Sequence, residues 1–315
     1  MKCLVTGAAG FVGSSICDRL LRDEHEVIGV DCFVPYYPRE TKLRNIRQAQ
    51  KSSRFQLFEQ DLTASGLAQL LDGVEWIFHQ AAQAGVRASW GDYFESYTKN
   101  NVLATQRLLD AVRQNGKVKK IVFASSSSIY GNAEKFPTTE DILPKPVSPY
   151  GVTKLAAEHL MSLYASEFGV PSVSLRYFTV YGPRQRPDMA FNRFIRAGLT
   201  GAELTLYGSG DQSRDFTFVD DIVEANLYAA ERGVAGSVLN IGGGTQATVN
   251  QLLALIESKI GKKLNIKREK RQDGDALHTG ADTSKARQQI GFMPKVGLAE
   301  GIEAEIAWLR GELAI

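Results

Sequence analysis

The feature that most constrains the fold of this chain is the glycine-rich segment GAAGFVG, which runs from Gly7 to Gly13. It follows the apolar run Lys2–Thr6, a predicted strand, and it leads into the amphipathic run Phe11–Arg22, a predicted helix. Gly7 suits a tight turn, Gly10 lets a pyrophosphate approach the backbone, and Gly13 lets the helix pack closely against the sheet. The amides and the dipole at the helix start favour anionic phosphates. Because the glycines stand between a strand and a helix, they predict a dinucleotide site.

Short apolar runs and amphipathic stretches alternate along the first half of the chain. This order predicts βαβ units and an α/β fold with a Rossmann-type, doubly wound parallel sheet. The predicted strands are Lys2–Thr6, Glu26–Val30, Phe55–Glu59, Trp76–His79, Lys120–Ala124 and Ser172–Tyr177, and the predicted helices are Phe11–Arg22, Thr41–Gln48, Asp92–Asn115 and Tyr150–Phe168.

The pattern changes after Tyr181, where Gly182, Pro183 and Pro187 interrupt it. Shorter elements follow, and we expect two closely linked lobes: a dinucleotide-binding domain over residues 1–180 and a smaller α/β lobe over residues 181–315. The helices predicted in the second lobe are Met189–Leu199, Asp221–Glu231 and Val249–Ile260.

Composition and charge exclude several classes of protein. The chain has 315 residues, of which 43% are hydrophobic and 23% charged, which is typical of a globular protein with a sizeable core. Its formal net charge of +2 gives no argument for binding nucleic acid. Cys3, Cys17 and Cys32 predict reduced thiols, and no metal-ligand spacing is present. No apolar run approaches the roughly 20 residues that span a bilayer, and the first residues predict a strand instead of a signal peptide, so a cytoplasmic location is expected.

Residues after the second, third and fourth predicted strands favour NAD as the dinucleotide. Asp31 ends the second strand, where a carboxylate accepts hydrogen bonds from ribose hydroxyls and repels the 2′-phosphate of NADP. Arg39 and Lys42 weaken this preference, because a cation there could contact either a phosphate or a ribose. The pair Asp61–Leu62 could meet the adenine, and Ala81–Ala82 offers a wall of small residues beside the cofactor.

A tyrosine and a lysine point to the chemistry. Tyr150 and Lys154 are four residues apart on a predicted helix and therefore share one face of it. A tyrosine that acts as a base near neutral pH must lose about three units from its usual pKa of ~10, and nearby positive charge favours the phenolate. The pair alone is weak evidence among 11 tyrosines, but Ser125–Ser128 directly follow the fifth predicted strand, where ligands bind in open parallel sheets. We therefore predict a Ser–Tyr–Lys site.

Five segments, GAAGFVG, HQAAQAGVR, SSSSIYG, SPYGVTK and GSGDQSRDF, resemble those of the extended short-chain dehydrogenases, specifically the NAD-dependent epimerases and dehydratases of sugar nucleotides. The resemblance runs nearly end to end. It implies that Ser126 hydrogen-bonds the reacting hydroxyl, Tyr150 moves its proton and Lys154 holds the nicotinamide ribose. It also implies that Asn101 lines the cofactor cleft and that Arg214 meets the nucleotide diphosphate, which suits the planar guanidinium.

The resemblance also bears on the reaction. In this family the 4,6-dehydratases carry Asp and Glu at the two positions after the catalytic hydroxyl, and the glucuronate decarboxylases carry Glu at the second; here both are serine, Ser127 and Ser128. The stretch Arg176–Ala190 is similar to that of UDP-glucuronate 4-epimerases, and galactose-type epimerases usually have asparagine where Thr179 stands. The resemblance thus implies interconversion of UDP-glucuronate and UDP-galacturonate through a transient 4-keto sugar.

The hydroxyls of Ser126, Ser127, Ser128 and Thr179 could hydrogen-bond a C6 carboxylate, with Arg186 or Arg87 nearby. Three alternatives stay open: a 4-epimerase of neutral UDP-sugars (UDP-glucose or UDP-N-acetylglucosamine), a UDP-glucuronate decarboxylase, and a non-catalytic NAD-binding regulator, which the presence of both Tyr150 and Lys154 disfavours. The family further implies a homodimer formed through the helices at Asp92–Asn115 and Tyr150–Phe168.

The predicted site residues form three groups, and no metal site is predicted. The catalytic group is Tyr150, Lys154 and Ser126. The cofactor-binding group is Gly7, Gly10, Phe11, Val12, Gly13, Asp31, Lys42, Asp61, Leu62, Ala81, Ala82, Gln83, Asn101, Ser125, Tyr150, Lys154 and Tyr177. The substrate-binding group is Gly85, Arg87, Ser126, Ser127, Ser128, Thr179, Arg186, Arg214 and Asp275.

Overall fold

The computed structural model describes residues 1–133, 135–270 and 278–315, and a seven-stranded parallel sheet forms its centre. The strands are β1 (Lys2–Thr6), β2 (Glu26–Asp31), β3 (Phe55–Glu59), β4 (Trp76–His79), β5 (Lys120–Ser126), β6 (Ser172–Tyr177), β7 (Thr179–Tyr181), β8 (Leu204–Tyr207), β9 (Ser213–Phe218), β10 (Ser237–Ile241), β11 (Thr245–Thr248) and β12 (Ile266–Glu269). The α-helices are α1 (Phe11–Arg22), α2 (Arg39–Asn45), α3 (Leu67–Leu70), α4 (Phe94–Tyr97), α5 (Ala104–Asn115), α6 (Pro149–Phe168), α7 (Ala190–Thr200), α8 (Val219–Arg232), α9 (Val249–Ile260), α10 (Ser284–Ile290) and α11 (Leu298–Leu313).

The strand order of the large sheet creates one switch point. The strands lie in the order β10-β6-β5-β4-β1-β2-β3, and every neighbouring pair is parallel. In the register, Val5 of β1 lies beside Gly29 of β2 on one side and Phe78 of β4 on the other. The chain runs from β1 outward to β3 and then returns to the other side of β1, so a crevice opens at the carboxyl ends of β1 and β4, where open α/β sheets bind their ligands.

The predicted Rossmann-type sheet is confirmed, and several elements match within a residue or two. The strands Lys2–Thr6, Phe55–Glu59, Trp76–His79 and Ser172–Tyr177 have the predicted bounds, whereas β2 and β5 continue to Asp31 and Ser126. These strands are buried and rich in aliphatic and aromatic residues, which is the composition that a parallel sheet covered on both faces requires.

The predicted helix over Asp92–Asn115 is wrong as a continuous α-helix. The segment contains α4, then a π-helical turn at Thr98–Leu103, and then α5. The π-helical turn contains Asn101, which is 1% exposed and whose side chain is bonded to Gln83 and Thr153. Such insertions in helices often accompany functional sites. The helix predicted at Thr41–Gln48 is also displaced, because Pro38 caps α2 and the helix begins at Arg39.

The two predicted lobes share strands and core. The seventh strand of the large sheet, β10, comes from beyond residue 180 and pairs with β6. Two further sheets, with the orders β11-β9-β7 and β12-β8, are built from the later residues. One apolar cluster includes Val5 and Ile16 together with Ile222 and Leu309. The division at residue 180 therefore stays a prediction, and β10 and this shared core tie the two ranges together.

The cysteines and the helices bear on two further expectations. Cys3, Cys17 and Cys32 are all free, and burial raises the pKa of the Cys3 thiol to about 12. No helix in the described part of the chain has both the length and the apolar character needed to cross a membrane.

Candidate active site

A cavity of about 420 Å³ lies at the carboxyl edge of the large sheet, over the switch point. Turns after β1, β3 and β4 line it, together with the ends of β2 and β5, the first turns of α6 and the segment around β7. Most of the predicted site residues thus come from separate segments to a single cavity.

At the switch point the cavity wall is made of closely packed backbone. Gly7 has a φ of +67°, and a Cβ atom there would lie 2.8 Å from the amide nitrogen of Ala81. A Cβ atom on Gly13 would lie 2.1 Å from the carbonyl oxygen of Gly7. Gly10 is the N-cap of α1 and makes no side-chain cap, so the cavity borders the first amides of the helix. This cradle fits a pyrophosphate, because it combines close backbone access with the positive end of a helix.

Asp31 is held rigidly at the end of β2. Its carboxylate accepts hydrogen bonds from the amides of Ala9, at 3.2 Å, and Phe33, at 2.8 Å. The Nζ atom of Lys42 lies 3.6 Å from it, and both side chains are buried and line the cavity. Arg39 instead pairs with Glu59 through two hydrogen bonds, at 2.7 and 2.5 Å. A fixed, acceptor-only carboxylate here fits an adenosine ribose.

The segment after β4 is fixed from behind by Asn101. The side-chain oxygen of Asn101 accepts a hydrogen bond from the Gln83 amide at 2.7 Å, and its Nδ2 donates to the Gln83 carbonyl at 3.0 Å. The same Nδ2 donates to the Thr153 hydroxyl at 2.9 Å, which ties the segment to α6. Ala81, Ala82 and Gln83 line the cavity, whereas Asn101 lies behind them and orients them.

The predicted helix signals place Tyr150 and Lys154 at the cavity. The Ser148 hydroxyl caps α6 by accepting from the Gly151 amide at 3.1 Å, and Pro149 occupies the first turn. Tyr150 is hydrogen-bonded to Ser126 at the end of β5. Lys154 is one turn further and 3% exposed, with Nζ 4.4 Å from the centroid of the Phe123 ring. Ser126, Tyr150 and Lys154 therefore lie in one site.

The environment shifts the titration of both groups. Burial raises the pKa of Tyr150, and the hydrogen bond from Ser126 and the positive charge of Arg186 oppose that effect. Burial lowers the pKa of Lys154 to about 7, and the charge of Glu158 opposes it. Since burial disfavours the charged form of each group, the phenolate depends on positive charge supplied by its neighbours.

The remaining end of the cavity is lined mainly by hydroxyls. Ser127, Ser128, Thr179, Gly85 and Arg186 line it beside Tyr150. Among the lining residues that the structure describes, the carboxylates are Asp31 and Asp61, which follow β2 and β3. The serine end of the cavity thus presents hydrogen-bonding groups without a carboxylic acid.

Arg186 is held in a defined orientation. Its Nε and Nη2 atoms each lie 3.0 Å from a carboxylate oxygen of Asp188, and its guanidinium lies 5.6 Å from the centroid of the Tyr36 ring. The two other predicted arginines are not among the residues that line the cavity: Arg87 lies over the Tyr207 ring at 4.8 Å, and Arg214 donates to the Ser213 carbonyl. Asp275 falls outside the described residues.

Several lining residues were not predicted. Gln80 directly follows β4 and precedes the predicted Ala81, so its position at a strand end was a usable signal. Tyr36 and Tyr37 lie in the loop after β2, in a proline-bracketed stretch without a recognised pattern. Tyr36 reaches the cavity through long-range packing, since a Cβ atom on Gly85 would lie 2.3 Å from its hydroxyl.

The doubly wound sheet, the glycine cradle and the Ser–Tyr–Lys arrangement define a dinucleotide-dependent enzyme of the short-chain dehydrogenase type. Comparison with known proteins makes this assignment specific: the chain belongs to the NAD-dependent epimerase/dehydratase family, whose model matches residues 3–242.

Individual relatives cover nearly the whole chain. An uncharacterized UDP-glucose epimerase of Bacillus subtilis is 45% identical over 98% of each chain. A UDP-glucuronate 4-epimerase of Thermodesulfobacterium geofontis is 34% identical over 99% of this chain and 97% of that one. The crystal structure of a UDP-glucuronic acid 4-epimerase from Bacillus cereus, in complex with UDP-glucuronic acid and NAD, is 43% identical and has a TM-score of 0.96, covering 99% of this chain and 100% of the other. The predicted family, fold and NAD dependence are confirmed.

Proposed function

We propose that this protein is a UDP-glucuronate 4-epimerase, which interconverts UDP-glucuronate and UDP-galacturonate with bound NAD. The observation that carries the proposal is the hydroxyl-lined, carboxylate-free cavity end beside Tyr150, with Arg186 at its border. A C6 carboxylate would find hydrogen-bond donors and one guanidinium there, which is the chemistry that recognises a carboxylate.

The cofactor-binding residues divide along the cavity. The cradle of Gly7, Gly10 and Gly13 would hold the pyrophosphate, Asp31 the adenosine ribose, and Lys154 the nicotinamide ribose. When bound, NAD supplies the chemistry of accepting a hydride from C4 of the sugar and returning it to the opposite face.

The reaction asks two proton transfers of the chain itself. Tyr150 removes the proton of the 4-hydroxyl, and Ser126 donates a hydrogen bond to the same oxygen. The ammonium of Lys154 lowers the cost of the phenolate. After the 4-keto sugar turns about its link to the diphosphate, Tyr150 returns the proton, and the alcohol forms with inverted configuration.

The same cavity end explains how the carboxylate survives. The 4-keto form of glucuronate is a β-keto acid, which tends to lose carbon dioxide. Hydrogen bonds from Ser127, Ser128 and Thr179, with Arg186, would hold the carboxylate out of the geometry in which that bond breaks. The absence of a carboxylic acid among the described residues at this end also disfavours the decarboxylase alternative.

A second candidate is a 4-epimerase of neutral UDP-sugars such as UDP-glucose. It is favoured by the 45% identity with the Bacillus subtilis relative, which is named a UDP-glucose epimerase. The two candidates share the fold, the cofactor and Tyr150, and they differ only in the group attached to C5 of the sugar.

One experiment separates the candidates. Purified protein is incubated with NAD and either UDP-glucuronate or UDP-glucose at equal concentration, and NMR identifies the products. We expect UDP-galacturonate from UDP-glucuronate, and slower turnover of UDP-glucose. The variant Tyr150→Phe should lower turnover by about 10²–10⁴-fold. A pentose product, faster turnover of UDP-glucose, or full activity of Tyr150→Phe would each reject the proposal.

We also propose a cytoplasmic homodimer with the two-lobe division given above. The proposed dimer surface is supported by exposed apolar side chains along the segment Thr98–Asn115 and along α6, namely Leu103, Val152 and Leu163. A measurement of the molecular mass in solution tests the dimer.

A further inference from the structure

A buried ion pair lies directly behind the active site. Arg176 of β6 and Glu158 of α6 are 5% and 3% exposed. The Nη2 atom of Arg176 lies 2.6 Å from Oε1 of Glu158, and Nε lies 3.0 Å from Oε2. Two parallel hydrogen bonds between a guanidinium and a carboxylate give strong orientation as well as charge pairing.

Glu158 connects this pair to two residues of the site. It follows Lys154 by four positions on α6 and therefore lies on the same face, one turn away. Its Oε2 atom accepts a hydrogen bond from the hydroxyl of Ser125 at 2.5 Å, and Ser125 lines the cavity at the end of β5. The carboxylate thus touches the strand that carries Ser126 and stands beside the helix turn that carries Lys154.

Arg176 is anchored on its other side. Its Nη1 atom donates to the Tyr130 hydroxyl at 2.6 Å and to the carbonyl of Glu140 at 3.2 Å. The Tyr130 hydroxyl in turn donates to the side-chain oxygen of Asn240 at 2.7 Å. A buried charge pair costs stability unless its remaining donors are satisfied, and this network satisfies them with groups from three separate segments.

We propose that Glu158 is a positioning residue of the reaction: its carboxylate keeps Lys154 in the ammonium form and holds Ser125, while Arg176 fixes the carboxylate in place. This role rests on the proposed function only in that it assigns the ammonium to the epimerase site.

The surroundings of Lys154 explain why it needs this support. The lysine faces the Phe123 ring of β5, His79 of β4, and Tyr150 and Glu158 of its own helix. Burial lowers the pKa of His79 to about 3, so that ring is neutral at the working pH. Burial lowers the pKa of Lys154 to about 7, and the negative charge of Glu158 opposes this change. Removing that charge lowers the pKa of Lys154 further, and less ammonium is present at neutral pH.

The first test is the pH profile of kcat with UDP-glucuronate in Glu158→Gln. We expect the alkaline limb of the profile to move to lower pH by about one unit, because an opposite charge nearby changes a pKa by about 1–3 units. Glu158→Asp keeps the charge and should keep the limb near its original position. The matched control is Glu167→Gln, the same change at an exposed site on the same helix, and it should leave the profile unchanged. A profile of Glu158→Gln that coincides with that of the control would overturn the proposal.

The second test does not depend on turnover. Protein labelled with ¹³C at the lysine Cε positions is titrated by NMR, and the Lys154 signal is assigned by its loss in Lys154→Arg. The titration midpoint should be lower in Glu158→Gln than in the natural protein and in Glu167→Gln. An unmoved midpoint overturns the proposal whether or not UDP-glucuronate is the substrate, whereas a moved midpoint in a protein that ignores UDP-glucuronate would reject only the proposed function.

Folding is controlled by a third variant. Breaking a buried ion pair by removing one partner costs about 3–5 kcal/mol, whereas replacing both partners is often neutral. If Glu158→Gln fails to give the native circular dichroism spectrum, Glu158→Gln/Arg176→Met replaces it, because this pair of changes leaves no unpaired charge. The titration midpoint of Lys154 should still be lowered, and an unchanged midpoint there overturns the proposal equally.

Discussion

The coenzyme end and the sugar end of the cavity are built by different means. At the coenzyme end the defining contacts join backbone to backbone, as where Gly13 faces the carbonyl of Gly7 and Gly7 faces the amide of Ala81. At the sugar end they join side chains, as where Arg186 is held by Asp188 and lies over Tyr36. The first end allows almost no change of residue without moving the chain, whereas the second can change its chemistry by exchanging side chains on the same backbone.

This difference accounts for the behaviour of the family. Relatives named for UDP-glucose and for UDP-glucuronate share the cofactor fold with this chain at 45% and 34% identity. A backbone cradle recognises the pyrophosphate that all NAD molecules share. Specificity for the sugar resides where Ser127, Thr179 and Arg186 meet the group on C5, because those side chains are replaceable.

The largest expected effect tests the rigidity of the coenzyme end. In Gly13→Ala the new methyl group would lie 2.1 Å from the carbonyl oxygen and 2.9 Å from the carbonyl carbon of Gly7, and neither is the end of a flexible side chain. We expect α1 to move away from the turn, with a loss of about 1–3 kcal/mol in unfolding free energy and up to about 100-fold in NAD affinity. Isothermal titration calorimetry and urea unfolding measure both.

The control for that change is Gly311→Ala in α11. A Cβ atom at this position has nothing within 4 Å, and alanine is the better helix former, so NAD affinity should not change and stability should rise slightly. Equal NAD affinity in Gly13→Ala and Gly311→Ala would break the comparison between the two ends.

An intermediate effect is expected at the sugar end. Thr179→Ala and Ser127→Ala each remove one hydroxyl that lines the cavity, and neither changes the backbone. A hydrogen bond to a charged group contributes about 1.5–3 kcal/mol, so the ratio of pentose by-product to galacturonate should rise about tenfold while NAD affinity stays constant. NMR of the products gives the ratio, with the exposed change Ser166→Ala as the control. Product ratios that stay the same in both variants would remove the carboxylate-holding role from these hydroxyls.

The two ends also differ in how far the sequence alone predicted them. Local signals were sufficient for the glycine turn and for α6, whose cap Ser148, first-turn Pro149 and terminal Gly169 all act as expected. Each of these signals is a preference of the backbone over a few residues, so it is visible in one sequence without knowledge of the packing.

Long-range packing decided what the sequence did not reveal. The π-helical turn at Thr98–Leu103 depends on Asn101 reaching Gln83 and Thr153, which are distant in sequence. Tyr36 enters the cavity because it packs against Gly85. No periodicity carries such information, and the pairing of Arg186 with Asp188 likewise requires the folded loop.

The smallest expected effect concerns the support beneath the coenzyme end. His79 ends β4, and its two ring nitrogens lie 2.7 Å from the Thr6 hydroxyl and 2.9 Å from the Thr105 hydroxyl, so it links β1, β4 and α5. Burial lowers its pKa to about 3 in the folded protein, against about 6.5 in the unfolded chain. Below pH 6.5 the unfolded chain therefore binds a proton that the folded protein does not, and stability is lost as the pH falls toward 3. The loss should be about 1 kcal/mol between pH 6.5 and 5.5. Urea unfolding at these two pH values should show that His79→Gln lacks this part of the pH dependence and that His159→Gln, at an exposed site on α6, retains it. If His79→Gln kept the full dependence, the acid sensitivity would belong to other groups, and the coenzyme end would owe its rigidity to its glycines alone.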